Sequence, residues 1–392
     1  ARKRGLVCPS SSFAEKEKGI TGGYVMNPNT GIHDNVAVLD FKSLYPSIIV
    51  TFNIDPWSFS DKGTIVSPNG ARFVNQKGIL PDLIEGIWSE RDKAKKRNDD
   101  VASYALKVIM NSFFGVLANA KCRFFNPEMA NAITHFGQYI IKNTAKEVKS
   151  KGYDVIYSDT DSVFVKTNAP SFSEADKIGE KLSKEINSYY KKLAKKDYDR
   201  DSRLELEYEK LYKKIIFPRV RGGNEKAGAK KRYAGLLIKD QKEKIDFTGL
   251  EFVRRDWTEV SKKFQLELLD RIFHEKEVTG FVKKFVEDIR DRKYDELLVY
   301  TKAVRKDLDS YTKTTPPHVK AARKLDHLDS NIIKYVITVD GPEPVQDVKH
   351  SIDYDHYIEK QIKPLADSVL VFFDTNFDDL MKGSQQKNLF NY

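Results

Sequence analysis

The stretch DVIYSDTDSVFVK, residues 154–166, sets two β-rich triplets, 155–157 and 163–165, on either side of a polar centre. Branched and aromatic residues favour extended chain, so a short polar break between two such runs is a β-hairpin pattern. Asp159 and Asp161 fall at that break. In a continuous strand they share one face. In a tight turn, one sits at the tip and the other opens the returning strand. Either way two carboxylates lie close together and repel unless a cation neutralises them. A plain polar hairpin tip accounts for the same residues.

Upstream, the run VAVLDFKSL (36–44) reads as a buried strand interrupted by Asp40. An unpaired charge in an apolar strand is costly; an Asp capping a turn at a strand end is the simpler alternative. Two such carboxylate sites suit hard, oxygen-seeking divalent ions, Mg²⁺ first. A pair of these ions can activate a hydroxyl and stabilise a leaving pyrophosphate.

Between these segments, residues 81–117 repeat apolar side chains at three- and four-residue spacing, with a break at Asn98-Asp99-Asp100. That predicts a helical hairpin with an N-cap at the break. Arg91 and Lys95 share one helix face, as do Lys107, Asn111 and Gly115 on the second helix. Positions 91 and 107 stand equally far from Asp99, so they lie at the same height. Three cations on one patch suit a triphosphate, with Arg offering a bidentate fork; solvated basic faces are the alternative. Residues 127–148 predict a long helix, and 205–217 and 231–239 further strands. After about Gly249 the pattern becomes mostly helical. The expected class is α+β.

The chain has 392 residues, enough for two or three domains. It is 40% hydrophobic and 32% charged, which argues against global disorder. Lys plus Arg outnumber Asp plus Glu by 67 to 57, for a net charge of +10, and a basic chain of this size points to a polyanion. Two cysteines exclude a disulfide scaffold and a four-cysteine zinc site. Reduced, cytoplasmic chemistry is the default, no run approaches the ~20 apolar residues of a membrane span, and no membrane partner is expected.

Taken together, these motifs resemble the family B DNA polymerases. Their motif A matches DFKSLYPSI (40–48), motif B KVIMNSFFG (107–115) and motif C YSDTDS (157–162), in the family's order and spacing. Further matches are Gly22-Gly23-Tyr24, KRY (231–233), GLEFVRRDW (249–257), PHVKAA (317–322) and DYDHYIEKQ (353–361), the last most like bacterial members. The resemblance covers essentially the whole chain.

It implies a right-hand fold: an antiparallel-sheet palm (1–76 and 120–248), helical-hairpin fingers (77–119) and a mostly helical thumb (249–392). It implies templated primer extension, in replication or repair, from deoxynucleoside triphosphates. Asp40, Asp161 and the Phe41 carbonyl would hold two Mg²⁺ ions, with Asp159 accessory and Lys107 assisting the leaving group. Ser43, Leu44, Arg91, Lys95, Lys107 and Asn111 would hold the nucleotide, with Tyr45 as a steric gate against ribose. Gly22, Gly23, Tyr24, Phe114, Gly115, Lys231, Tyr233, Arg254 and Arg255 would face primer-template DNA. Phe114 and Gln138 depart from the family's usual Tyr and Arg. Either Glu205 or Glu207 is a candidate third carboxylate. The tail QKNLF (386–390) resembles a sliding-clamp peptide anchored by Gln386, Leu389 and Phe390.

No exonuclease motifs precede Asp40 and the chain starts without Met, so the expectation is a fragment or one half of a split polymerase, working with a separate exonuclease portion in the cytoplasm at the nucleoid. The competing functions are an inactive DNA-binding homologue and a two-metal nuclease. Intact Asp40, Asp159, Asp161, Lys107 and Arg91 argue against the first, and the steric-gate and triphosphate residues would have no job in the second.

Overall fold

The strand carrying Asp40 is walled in on both sides. In the computed structural model, which describes Gly5 and residues 19–220, 228–328 and 330–382, β1 spans Gly31–Phe41 with Val36 to Leu39 almost fully buried. It stops short of the expected Leu44. Ser43 takes the left-handed conformation (φ 47°), turning the chain into helix α1 (Leu44–Thr51). Asp40 is therefore the last residue but one of a strand, beside a turn.

The described residues fall into two compact units, 1–28 with 34–213, and 29–33 with 214–392. In the first, a small ribbon, β2 (Ile65–Val66) and β3 (Arg72–Phe73), follows α1. Helices α2 (Ile79–Lys96) and α3 (Asp100–Ala118) form the expected hairpin. Asn98 is left-handed and the Asp99 carboxylate accepts the Ala102 N–H at 2.9 Å, so the turn residues do the work their chemistry suits. By length and composition α3 is apolar enough to cross a bilayer, against expectation; it carries Lys107 and packs on α2. Helix α4 (Pro127–Ser150) is capped by Asn126, which accepts two N–H groups. The hairpin β4 (Asp154–Asp159) and β5 (Ser162–Lys166) follows, then α5 (Phe172–Tyr198) and β6 (Leu206–Phe217). The strands run in the order β4-β5-β1-β6, with β5 antiparallel to both neighbours. Under the sheet, Phe52 stacks on Phe136 at 3.8 Å, and the buried Tyr190 hydroxyl donates to the Ile140 carbonyl at 2.7 Å. That satisfied hydroxyl lets a large polar ring sit in an apolar core.

The second unit holds the antiparallel pair β7 (Tyr233–Lys239) and β8 (Lys242–Thr248), then α6 (Glu259–Phe273) and α7 (Thr279–Arg290). Phe264, Phe281 and Phe285 pack these helices together. The end of the chain is mostly helical, as expected, but also holds a short three-stranded antiparallel sheet that was not anticipated: β9 (Tyr300–Ala303), β10 (Ile332–Thr338) and β11 (Gly341–Pro344), with α8 (Pro317–Ala322) between. The signal was in the residues: the β-branched run 332–338, followed by Asp340-Gly341. Helices α9 (Tyr354–Tyr357), α10 (Lys363–Leu370) and α11 (Phe377–Lys382) close the described chain. Gln386, Leu389 and Phe390 lie outside the described residues.

Candidate active site

Strand pairing brings the separated carboxylates together. Ser162 pairs with Asp40 on one side and with Asp159 on the other. Thr160 and Asp161 form the two-residue turn, with Thr160 left-handed (φ 55°). Asp161 thus sits at the tip, while Asp159 closes the outgoing strand rather than Asp161 opening the returning one. The Phe41 N–H donates to the Asp161 carbonyl at 2.9 Å, tying the tip to the end of β1. Asp40 is pushed up to about 7, first by burial, then by the charges of Asp161, Glu209 and Glu207; Lys107 acts in the opposite direction.

The acidic strand β6 supplies the third group. Glu205, Glu207 and Glu209 alternate with Leu206 and Tyr208, so they share a face. Lys42 pairs with Glu205 at 2.7 Å and with Glu207, while its N–H donates to the Glu205 carbonyl at 2.9 Å. Burial opposes the Lys42 charge, but its hydrogen bonds to Glu205 and Glu207 outweigh that and raise its pKa. Glu205 serves mainly as partner to Lys42. Glu209 was not anticipated; the Glu-x-Glu-x-Glu alternation was its only sequence signal.

Beside the carboxylates lies the start of α1. Ser43 offers no side-chain cap, and its carbonyl accepts the Ser47 N–H at 3.0 Å. Tyr45 is half-buried, its ring centroid 4.9 Å from that of Phe114. Its pKa is raised by burial and then by Asp161, which places the phenol within reach of the acidic tip's field. On the hairpin, Arg91 is half-buried with its Nε unpartnered. Lys95, Lys107, Asn111 and Gly115 are exposed, and Arg91, Lys95 and Lys107 form no ion pair among the described residues. Val101, Tyr104 and Val108 continue α3's exposed face as an apolar stripe.

Residues 19–26 lace this region together. The Thr160 N–H donates to the Tyr24 carbonyl at 2.9 Å, and the Met26 N–H to Ser158 at 3.0 Å. Gly23 lies so close that an added Cβ would stand 2.7 Å from the Thr160 methyl. Gln138, whose consequence the sequence left open, donates from its amide to the Gly22 carbonyl at 2.8 Å. Asn131 accepts the Thr21 N–H at 2.8 Å. The glycine segment is thereby fixed against the β4–β5 hairpin.

In the second unit, Lys231 is left-handed (φ 61°) where the chain enters β7. Arg232 pairs with Glu251, whose carboxylate is buried and also accepts from Gln265 at 3.0 Å. Tyr233 is only 9% exposed and its ring packs on Phe217, in a run of four buried residues that opens β7. Arg254 and Arg255 are exposed, Arg254 pairing with Asp256 at 2.7 Å. The 353–361 segment is structural. The Tyr357 hydroxyl accepts the Ile337 N–H at 2.8 Å, and Gln361 accepts from the Thr258 N–H and hydroxyl. Asp340, Glu343 and His350 also cluster, but Glu343 is already engaged by His350, Lys324 and two backbone N–H groups.

The model of DNA polymerase family B matches residues 1–371. DNA polymerase II of Escherichia coli (strain K12) is 41% identical over 92% of this chain and 48% of its own length. A DNA polymerase of Desulfurococcus sp. (strain Tok) is 32% identical over 97% of the chain and 51% of its own length. The solved family B DNA polymerase of Pyrobaculum calidifontis superposes with a TM-score of 0.67 at 28% identity, covering 93% of this chain and 48% of that one. The chain spans about half the length of these relatives. With the family's model matching residues 1–371, the chain belongs to family B of the DNA polymerases.

Proposed function

We propose that this chain extends the 3′ end of a primer along a DNA template, adding deoxynucleotides from their triphosphates with two Mg²⁺ ions, in replication or repair at the nucleoid of the cytoplasm. One observation carries this: Asp161, Glu209 and Glu207 crowd around the half-buried Asp40, which burial first and then their charges lift to about 7. Such a cluster favours divalent cations, and its all-oxygen donors suit Mg²⁺.

Asp40, Asp161 and the Phe41 carbonyl would hold the ions, with Asp159 accessory. When bound, the metals supply Lewis acidity to the primer hydroxyl and offset charge on the departing pyrophosphate. Lys107, which faces Asp40 electrostatically, neutralises the leaving group and can give it a proton. Arg91 and Lys95 grip the outer phosphates, and Ser43 and Leu44 line the triphosphate. Tyr45 lies beneath the sugar and excludes a ribose 2′-hydroxyl. Asn111, Phe114 and Gly115 face the nascent pair, with Phe114 lacking the phenol hydroxyl usual in the family.

Residues 1–76 and 120–248 serve as palm, 77–119 as fingers and 249–392 as thumb. Gly22, Gly23 and Tyr24 guide the template. Lys231, Arg254 and Arg255 hold DNA phosphates, a salt-sensitive and largely sequence-independent contact; Tyr233 acts there through its rim. Gln386, Leu389 and Phe390 dock on a sliding clamp. The test is extension of a labelled primer with Mg²⁺ and deoxynucleotides. Templated elongation abolished by EDTA is expected; a folded chain that binds primer-template but never elongates it would sink the proposal.

A further inference from the structure

The root of α2 is gripped by side chains well outside the carboxylate cluster. Asn53 and Asp55, in the segment after α1, are both fully buried. The Asn53 side-chain oxygen accepts the Gly78 N–H at 2.9 Å, and its amide donates to the Val74 and Gln76 carbonyls at 2.7 and 2.8 Å. Asp55 accepts the Trp57 N–H at 2.8 Å and the Leu80 N–H at 2.7 Å. Gly78 is the N-cap of α2 and has no side chain to offer. Asp55 supplies the missing acceptor from 25 positions upstream, and its charge suits the helix N-terminus. A Cβ on Gly78 would lie 2.5 Å from that of Asp55, so nothing larger than glycine leaves room for the clasp.

Next to the clasp the packing loosens. A cavity of about 290 Å³, almost wholly apolar, opens beside Asp55 between Trp57, Leu80, Leu83, Phe113, Val116 and Phe124. The helix is thus pinned at its first turn by directional bonds and meets yielding surface just beyond. Arg91 stands about 16 Å along the axis from Leu80. A tilt of roughly 10° at the root moves it by about 3 Å, enough to break a bidentate phosphate contact.

We propose that Asp55, with Asn53, is a positioning residue for nucleotide capture: the clasp is the pivot of α2 and sets the arc on which Arg91 and Lys95 meet the triphosphate. This rests on the function proposed above. Asp55→Asn and Gly78→Ala are to be compared with the parent in the full chain, by single-nucleotide extension over a range of matched deoxynucleotide. The KM for nucleotide should rise about tenfold, with kcat and primer-template Kd within twofold of the parent. Hydrogen exchange at the Leu80 amide should quicken. A merely structural role lowers the active fraction, so kcat falls while KM holds; that result, a matching rise in DNA Kd, or unchanged Leu80 exchange overturns the proposal. If Asp55→Asn does not fold, Gly78→Ala decides. A parent chain that extends no primer refutes the function instead, and the Leu80 exchange then decides whether the clasp exists.

Discussion

Replacing Asp40 with Asn should make the metal-free protein more stable while removing its activity. The Asp40 carboxyl sits near 7 in the fold against an ordinary 3.8. The folded state therefore holds this proton more tightly than the unfolded chain. Its contribution is fully favourable below about pH 4, is lost as pH rises, and becomes a constant penalty above about 7. Three pH units correspond to about 4 kcal/mol, and partial solvation of the site trims this to roughly 2–4 kcal/mol. Asp40→Asn abolishes the titration. In EDTA at pH 8 the variant should melt several degrees above the parent, since each kcal/mol moves the midpoint by about 2–4 °C in a unit of this size. The two should converge near pH 4, and Mg²⁺ should stabilise the parent more than the variant. Primer extension should fall about a thousandfold or more, the equivalent of about 4 kcal/mol in the transition state. The assay is thermal melting by circular dichroism across pH, with and without Mg²⁺, beside extension kinetics. A variant no more stable than the parent at pH 8 in EDTA refutes the burial and crowding of Asp40; near-normal extension refutes the catalytic assignment.

Tyr45→Ala should incorporate ribonucleotides more readily, read as the ratio of kcat/KM for the two sugars; an unchanged ratio rejects the gate. Arg232→Ala leaves the buried Glu251 carboxylate without its cation and should cost about 3–5 kcal/mol in urea melting of the second unit. Glu343 resists the upward push of burial because His350, two backbone N–H groups and Lys324 hold it down at about 2. Its stabilisation is present above about pH 4.5 and lost as pH falls toward 2. Glu343→Gln should flatten that acid limb of a pH melting series. Deleting residues 386–392 should lower processivity only when a clamp is supplied, and an identical loss without clamp would reject that docking.

Local chemistry made much of the first unit legible. Asp99 reads as a helix cap because its short carboxylate can reach an orphan N–H, and it does so. The 154–166 hairpin follows from alternation broken by polar residues. The second unit was harder to read. Lys- and Glu-rich segments mimic helices, and β9 and β11, four residues each, gain their strand character from pairing with β10. A KRY triplet does not say how deeply its tyrosine is covered, so the packing of Tyr233 on Phe217 was not legible. Gln138 and Asn131 hold residues 19–26 across more than a hundred positions of sequence, a distance no local pattern spans.

The division is sharpest at the carboxylates. The order and chemical type of the residues, Asp40, then the basic hairpin, then Asp159 and Asp161, are properties of the sequence, and they suffice to point to hard cations and a triphosphate. Which acids share one site is a property of the tertiary structure. Only when β1 lies between β5 and β6 do Asp40, Asp161, Glu207 and Glu209 come close in partly buried surroundings. Charge is written in each residue, whereas its energy depends on distance and on the water excluded around it, and folding alone sets both.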